Sequence, residues 1–247
     1  MTTMLGALHD GKGTMRVSAI EKPQVGSEDA LVKIQAVGIC GSDLLNYGAN
    51  ENPEIFPGGH EVAGEIVDVG ENVSSAKIGQ RVAVEAVGQG RACFDCWFCR
   101  IGQFRQCSNL GSMTSLGFAE FISRPSVACY ELSNSLSWEE GALVEPLAVA
   151  LHGVRRGQMK GGETVVVLGA GNIGLVTVAA ARALGAGKIL VTARHKHQAD
   201  MARLLGADFI LPPEGTALNE VLLEVTSGRG ADLTLETVGG SSDVTVK

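Results

Sequence analysis

The stretch "TVVVLGAGNIG", Thr164 to Gly174, sets a short β-branched apolar run directly against glycines at 169, 171 and 174. After it, apolar residues recur three and four apart from Ile173 to Leu184, so the segment reads as a buried strand, a tight turn and a helix. Gly185 closes that helix. The same alternation continues with strand "KILVTA" (188–193), a helix from Gln198 to Leu205 closed by Gly206, strand "DFIL" (208–211), a helix from Ala217 to Thr226 and strand "ADLTLE" (231–236). β-α-β alternation at this spacing predicts half to two-thirds of a doubly wound parallel sheet, with strands 3, 2, 1 and 4 of a six-stranded order present. The uncharged run Thr164 to Ala181 has the length of a minimal membrane span, but its glycines and Asn172 place it in a strand-turn-helix core, so no membrane is expected.

In that context the G-x-G-x-x-G of Gly169, Gly171 and Gly174 predicts a dinucleotide site. The glycines admit a tight turn and close approach of a pyrophosphate, and the helix start at Asn172 and Ile173 supplies amides and a positive dipole. An acid that would bind the ribose hydroxyls is expected about 20 residues on. "TARHKH", Thr192 to His197, has Ala193 there instead. A carboxylate at 193 would repel an adenosine 2′-phosphate by about 4 kcal/mol at ~4 Å and an effective dielectric of ~20. Alanine removes that repulsion, and Arg194 with His195 and Lys196 can attract the phosphate, so NADP(H) is expected over NAD(H). The bland alternative is a solvated turn that starts a helix.

Upstream, the texture is β. "LVKIQAV", "EVAGEIVDVG" and "RVAVEA" alternate between Leu31 and Glu85, which predicts a small, irregular, mostly antiparallel barrel or sandwich. A cysteine-rich excursion runs from Arg91 to Asn109, and strands resume at "GFAEFI" and "VACYEL". Helical spacing takes over near Trp138, with Pro146 placed to open a helix. The expected boundary lies in that helix, dividing residues 1–150 from 151–247. Of 247 residues, 45% are hydrophobic and 19% charged, with a net charge of −7, so a folded chain acting on small molecules is expected and a nucleic-acid partner is not. The N-terminus shows no basic leader, and a cytoplasmic location is expected.

Four of the six cysteines, Cys93, Cys96, Cys99 and Cys107, form C-x2-C-x2-C-x7-C, a spacing that lets one loop wrap a tetrahedral ion. An iron-sulfur run of this kind has x3 and a proline at its end, whereas here the gap is x7 and Ser108 follows, so zinc is expected. Four protein ligands close the site and make that zinc structural. Arg91, Arg100 and Arg105 are placed in sequence to offset its thiolates. Cys129 reads as a small core residue. Cys40, His60, Glu61 and Glu145 each have a bland reading taken singly, and spacing alone does not join them.

"GICGSD" (38–43), "GHEVAGEIVDVG" (59–70), the four-cysteine loop, "GFAEF" (117–121), "EPLAVALHGVRR" (145–156) and "VVVLGAGNIGL" (165–175) resemble, in content and order, the zinc-dependent medium-chain alcohol and polyol dehydrogenases. The sorbitol dehydrogenase-like branch is the nearest in pattern, through Glu145-Pro146-Leu147. The resemblance implies a GroES-like β-barrel catalytic domain followed by a Rossmann domain. It also implies a second, catalytic zinc on Cys40, His60 and a glutamate, either Glu61 or Glu145, with Ser42 relaying a proton. Because neighbouring strand residues point oppositely, His60 and Glu61 can share a metal only if the backbone bends near Gly58 and Gly59. The implied reaction moves a hydride between a nicotinamide and a secondary alcohol or polyol, with zinc as Lewis acid. Val238 lies in "LETVGG", which resembles the nicotinamide-proximal turn of the family.

The chain stops at Lys247, where full relatives continue through the nicotinamide pocket and a dimer edge strand, so a truncated chain is expected. Self-association is expected of a full-length chain and is in question for this one. A catalytically silent NADPH- and zinc-binding sensor or scaffold is the alternative reading. The segment Asn109 to Leu116 is short for the family, which weakens transfer of substrate by analogy.

Overall fold

A computed structural model of the chain describes residues 2–10, 12–49, 58–111, 117–212 and 216–239; Pro57 and most of the Asn109–Leu116 segment lie outside them. The chain forms two compact units, Met1–Glu145 and Pro146–Lys247.

The first unit opens with an antiparallel hairpin, β1 (Thr3–His9) and β2 (Met15–Glu21). The Asp10 carboxylate accepts from the N–H groups of Lys12 (2.8 Å) and Thr14 (3.0 Å), an Asx arrangement that turns the chain between the strands. There follow β3 (Asp29–Gly38), α1 (Gly41–Ala49), β4 (Glu61–Val69) and β5 (Arg81–Glu85). After the cysteine lobe, which carries α2 (Trp97–Arg100), come β6 (Phe121–Pro125), β7 (Cys129–Glu131), α3 (Trp138–Ala142) and the start of α4 (Val144–Arg156). The sheet is antiparallel throughout, in the order β6-β3-β4-β5-β7. Register breaks in β3–β4 at Leu31/Val32 and Ile34/Ala36 are the bulges that bend such a sheet. One face buries Val32, Val62, Ile66, Val82, Val84 and Ile122, and the other packs Ala63 and Ala83 against Leu132 and Ala142. Ser137 caps α3, accepting from Glu140 N–H while the Glu140 carboxylate accepts from Ser137 N–H.

The second unit is the alternating fold: β8 (Thr164–Leu168), α5 (Asn172–Ala183), β9 (Lys188–Thr192), α6 (Lys196–Leu204), β10 (Phe209–Leu211), α7 (Thr216–Val225) and β11 (Leu233–Glu236). Its strands are parallel in the order β10-β9-β8-β11, the 3-2-1-4 arrangement expected from the sequence. All five residues of β8 are buried, as a central parallel strand covered on both faces requires. Val165, Val167, Val178, Ile189 and Val191 make one core, and Val166, Leu168, Leu190 and Leu211 make the other.

Four elements depart from the sequence reading. The hairpin β1–β2 and helix α1 were not expected, and α6 begins two residues earlier than Gln198, so Lys196 and His197 belong to its first turn. Among the described residues no helix is long and apolar enough to cross a membrane, and Thr164–Ala181 is divided between β8 and α5.

Candidate functional site

Among the described residues of the first unit, two groups of metal-donor side chains form. Cys40 follows the end of β3, His60 stands just before β4 and Glu61 is its first residue. One donor atom from each lies within 4.8 Å of the other two. Glu61 pairs with Gly38 in the β3–β4 register, and a Cβ on Gly38 would sit 1.9 Å from Glu61 Oε2, so the carboxylate lies across the bare glycine. Gly59, directly before His60, has φ +84°, a left-handed conformation that a residue without a side chain adopts without strain.

Asp43, in the first turn of α1, ties this group together. Its Oδ2 accepts from Cys40 N–H (2.9 Å), its Oδ1 accepts from Gly59 N–H (3.3 Å), and the same Oδ1 is 3.9 Å from His60 Nδ1. A carboxylate behind a histidine orients the ring and fixes its tautomer. The Cys40-x-x-Asp43 spacing was the available signal, but only the helix placed its carboxylate against both neighbours.

Burial pushes the Glu61 carboxyl above the usual range, with His60 pulling it back and Asp43 adding to the rise; Glu61 is 3% exposed. A thiol, an imidazole and a buried carboxyl gathered at this distance form a donor set suited to zinc, and a dication between them would stabilise the carboxylate form. The group fits. Glu145, at the start of α4, does not join the three within that distance. Its carboxyl is also raised, first by burial, with His60 lowering it and Glu61 raising it. Ser42 is exposed on α1.

The second group is the cysteine lobe. Donor atoms of Cys93, Cys96, Cys99 and Cys107 all lie within 4.8 Å of one another, and no disulfide forms. Sγ of Cys96 is 3.5 Å from that of Cys99 and 3.9 Å from that of Cys107. Backbone N–H groups from Cys99 and Ser108 lower the Cys96 thiol to about 6, whereas burial drives Cys99 up to about 12. N–H donors aimed at sulfur favour thiolates, and four of them fit a closed tetrahedral site. Each of the three arginines has a hydrogen-bonding partner: Arg100 pairs with Asp95 (2.9 Å), Arg91 donates to Gly111 O (2.7 Å) and Arg105 to Val87 O (3.2 Å).

In the second unit a cavity of about 220 Å³ is lined by Gly169, Gly171, Thr192, Arg194, Gln198 and Val238. Gly169 has φ +103°, and Asn172 and Ile173 open α5 beyond it. A Cβ on Gly174 would stand 1.9 Å from Gly169 O, which is why helix and strand can approach only through a glycine. Ala193 packs against the core at the end of β9, with Arg194 at the cavity. His195 stacks on His197 with ring centroids 5.5 Å apart. Lys196 is engaged with Asp200, and Arg203 with the same carboxylate (3.3 Å), so the charge expected of Lys196 at the phosphate is shared within α6.

Residues 26–134 match the alcohol dehydrogenase GroES-like domain and residues 172–246 the zinc-binding dehydrogenase family. The sorbitol dehydrogenase of Bacillus subtilis (strain 168) is 34% identical over 247 residues, covering 96% of this chain and 69% of that protein. Among solved structures, the alcohol dehydrogenase rspB of Escherichia coli CFT073, complexed with NADH, superimposes with a TM-score of 0.84 at 29% identity, covering 98% of this chain and 71% of its own. A zinc-binding dehydrogenase of Sinorhizobium meliloti 1021 bound to NADP gives a TM-score of 0.81 at 31% identity, covering 100% of this chain and 72% of its own. The chain belongs to the zinc-dependent alcohol and polyol dehydrogenase family, with a GroES-like first unit and a Rossmann second unit. That membership makes it an oxidoreductase with zinc and nicotinamide chemistry and does not favour the silent sensor or scaffold.

Proposed function

We propose that this chain interconverts a secondary alcohol or polyol and its ketone, with NADP(H) preferred over NAD(H). Residues 1–150 serve as the zinc-binding catalytic domain and 151–247 as the dinucleotide-binding domain. The observation that carries the reading is the convergence of Cys40, His60 and Glu61 within 4.8 Å. Cys40, His60 and Glu61 would hold a zinc ion, and when bound it would supply Lewis acidity towards a substrate alcohol or ketone. Cys40, His60 and Glu61 hold the metal, and Asp43 orients His60. Glu145 is the alternative carboxylate, and the exposed Ser42 passes the substrate proton towards solvent. Gly169, Gly171 and Gly174 with the amides of Asn172 and Ile173 receive the pyrophosphate, and Val238 lies beside the nicotinamide end.

The cofactor preference rests on Ala193 and Arg194. Hydroxyl-rich substrates are supported by the sorbitol dehydrogenase of B. subtilis among the relatives. Metal analysis is expected to find two zinc per chain, falling to one in Cys40→Ala together with loss of polyol oxidation. One zinc in the unaltered protein contradicts the catalytic site. Ala193→Asp is expected to shift the kcat/KM ratio at least about tenfold towards NAD(H), about a third of the ~4 kcal/mol repulsion it introduces. An unchanged ratio removes the NADP(H) assignment.

A further inference from the structure

The Gly169 peptide is held from both sides by threonine hydroxyls. Its N–H donates to Thr192 Oγ1 (2.7 Å) at the end of β9, and its carbonyl lies 3.1 Å from Thr237 Oγ1, one residue beyond β11. The Thr237 hydroxyl is shared with Leu168 O (2.8 Å), which also accepts from Thr237 N–H (3.0 Å). β8 ends at Leu168, so the Gly169 N–H has left the ladder, and a buried amide without a partner is costly. Thr192, 4% exposed, supplies that partner. The first glycine of the turn therefore spends its amide on the protein, and a pyrophosphate must be met by the amides that open α5. Both threonines line the 220 Å³ cavity, one directly before Ala193 and Arg194, the other directly before Val238.

We propose that Thr192 and Thr237 are positioning residues for the dinucleotide, which by clamping Gly169 set the direction in which the α5 amides face the pyrophosphate. The proposal rests on the dinucleotide reading of this cavity. Because NADH and NADPH share the pyrophosphate, loss of either hydroxyl weakens both by the same factor, unlike a change at Ala193.

The test is equilibrium titration of the 247-residue chain with NADPH and with NADH, followed by nicotinamide fluorescence, for the unaltered protein and for Thr192→Val, Thr192→Ser, Thr237→Val and Thr237→Ser. Each valine variant is expected to bind both cofactors about tenfold more weakly with their ratio unchanged, the effect of one lost hydrogen bond, and each serine variant to bind within about twofold of the unaltered protein. Valine variants that bind like the unaltered chain, or serine variants as weak as valine, overturn the proposal. If Thr192→Val does not fold, as judged by circular dichroism, the part-buried Thr237 pair decides alone. Failure of the unaltered chain to bind either cofactor overturns the dinucleotide reading itself and is seen before any variant is compared.

Discussion

At Gly38 a single missing side chain makes room for the Glu61 carboxylate. Alanine there would place its Cβ 1.9 Å from Oε2 and 3.0 Å from the Glu61 Cβ, so the carboxylate must shift from its position beside Cys40 and His60. Gly38→Ala is expected to lower zinc affinity at the three-donor site by about tenfold or more while leaving the cysteine lobe loaded, measured by competition with a chromophoric chelator. Asp43→Asn keeps the shape but removes the charge facing His60. Cys129 is a separate case, packed against the core of the first sheet, where burial pushes its thiol up to about 12 against the pull of Arg124. In zinc-loaded protein at pH 8 it is expected to react with iodoacetamide about a thousandfold more slowly than a free thiol, read by peptide mass mapping. The sign of the linked stability follows. The unfolded thiol ionises near 9.0 and the folded one near about 12, so the native state holds more protons between them, and this group's contribution falls as pH rises through that window.

Among elements, α5 depends on its third glycine. Gly174→Ala drives a Cβ into the Gly169 carbonyl at 1.9 Å, a backbone atom that cannot rotate away. It is expected to destabilise the protein by about 1–3 kcal/mol or more in urea titration and to abolish NADPH binding. The cysteine lobe is the other local device, a loop with two short helical turns whose shape depends on its four sulfurs. Cys107→Ser is expected to remove one zinc and lower the melting temperature by about 5 °C or more, a larger fall than Cys40→Ala produces, because the closed site holds a loop and the open one holds a substrate. Elements that escaped the sequence reading escaped for physical reasons. β2 is mostly exposed, with Met15 and Val17 at 48% and 69%, so it has no buried face to impose alternation. α1 contains two glycines, and its start is coupled to the chain before it by Asp43 and to the hairpin by Gly13 N–H donating to Tyr47 O (2.9 Å). Such contacts leave no periodic trace.

For the molecule as a whole, what the sequence determined by itself was everything carried by short spacing. The turn at Gly169 and the four-cysteine lobe are built from neighbours within one segment, so residue type and interval suffice. The motifs also announced the family, whose members extend beyond it: this chain spans 69% of the B. subtilis relative. The tertiary structure alone decided which distant residues meet. Cys40, His60 and Glu61 converge because β3 and β4 pair antiparallel with Gly38 opposite Glu61, and register, not separation in sequence, fixes which side chains are neighbours. The same holds for Thr192 and Thr237, 45 residues apart in sequence, which reach one glycine because β9 and β11 flank β8. A hydroxyl at the end of a strand is an ordinary residue until the parallel sheet sets it beside an amide that has just left the ladder.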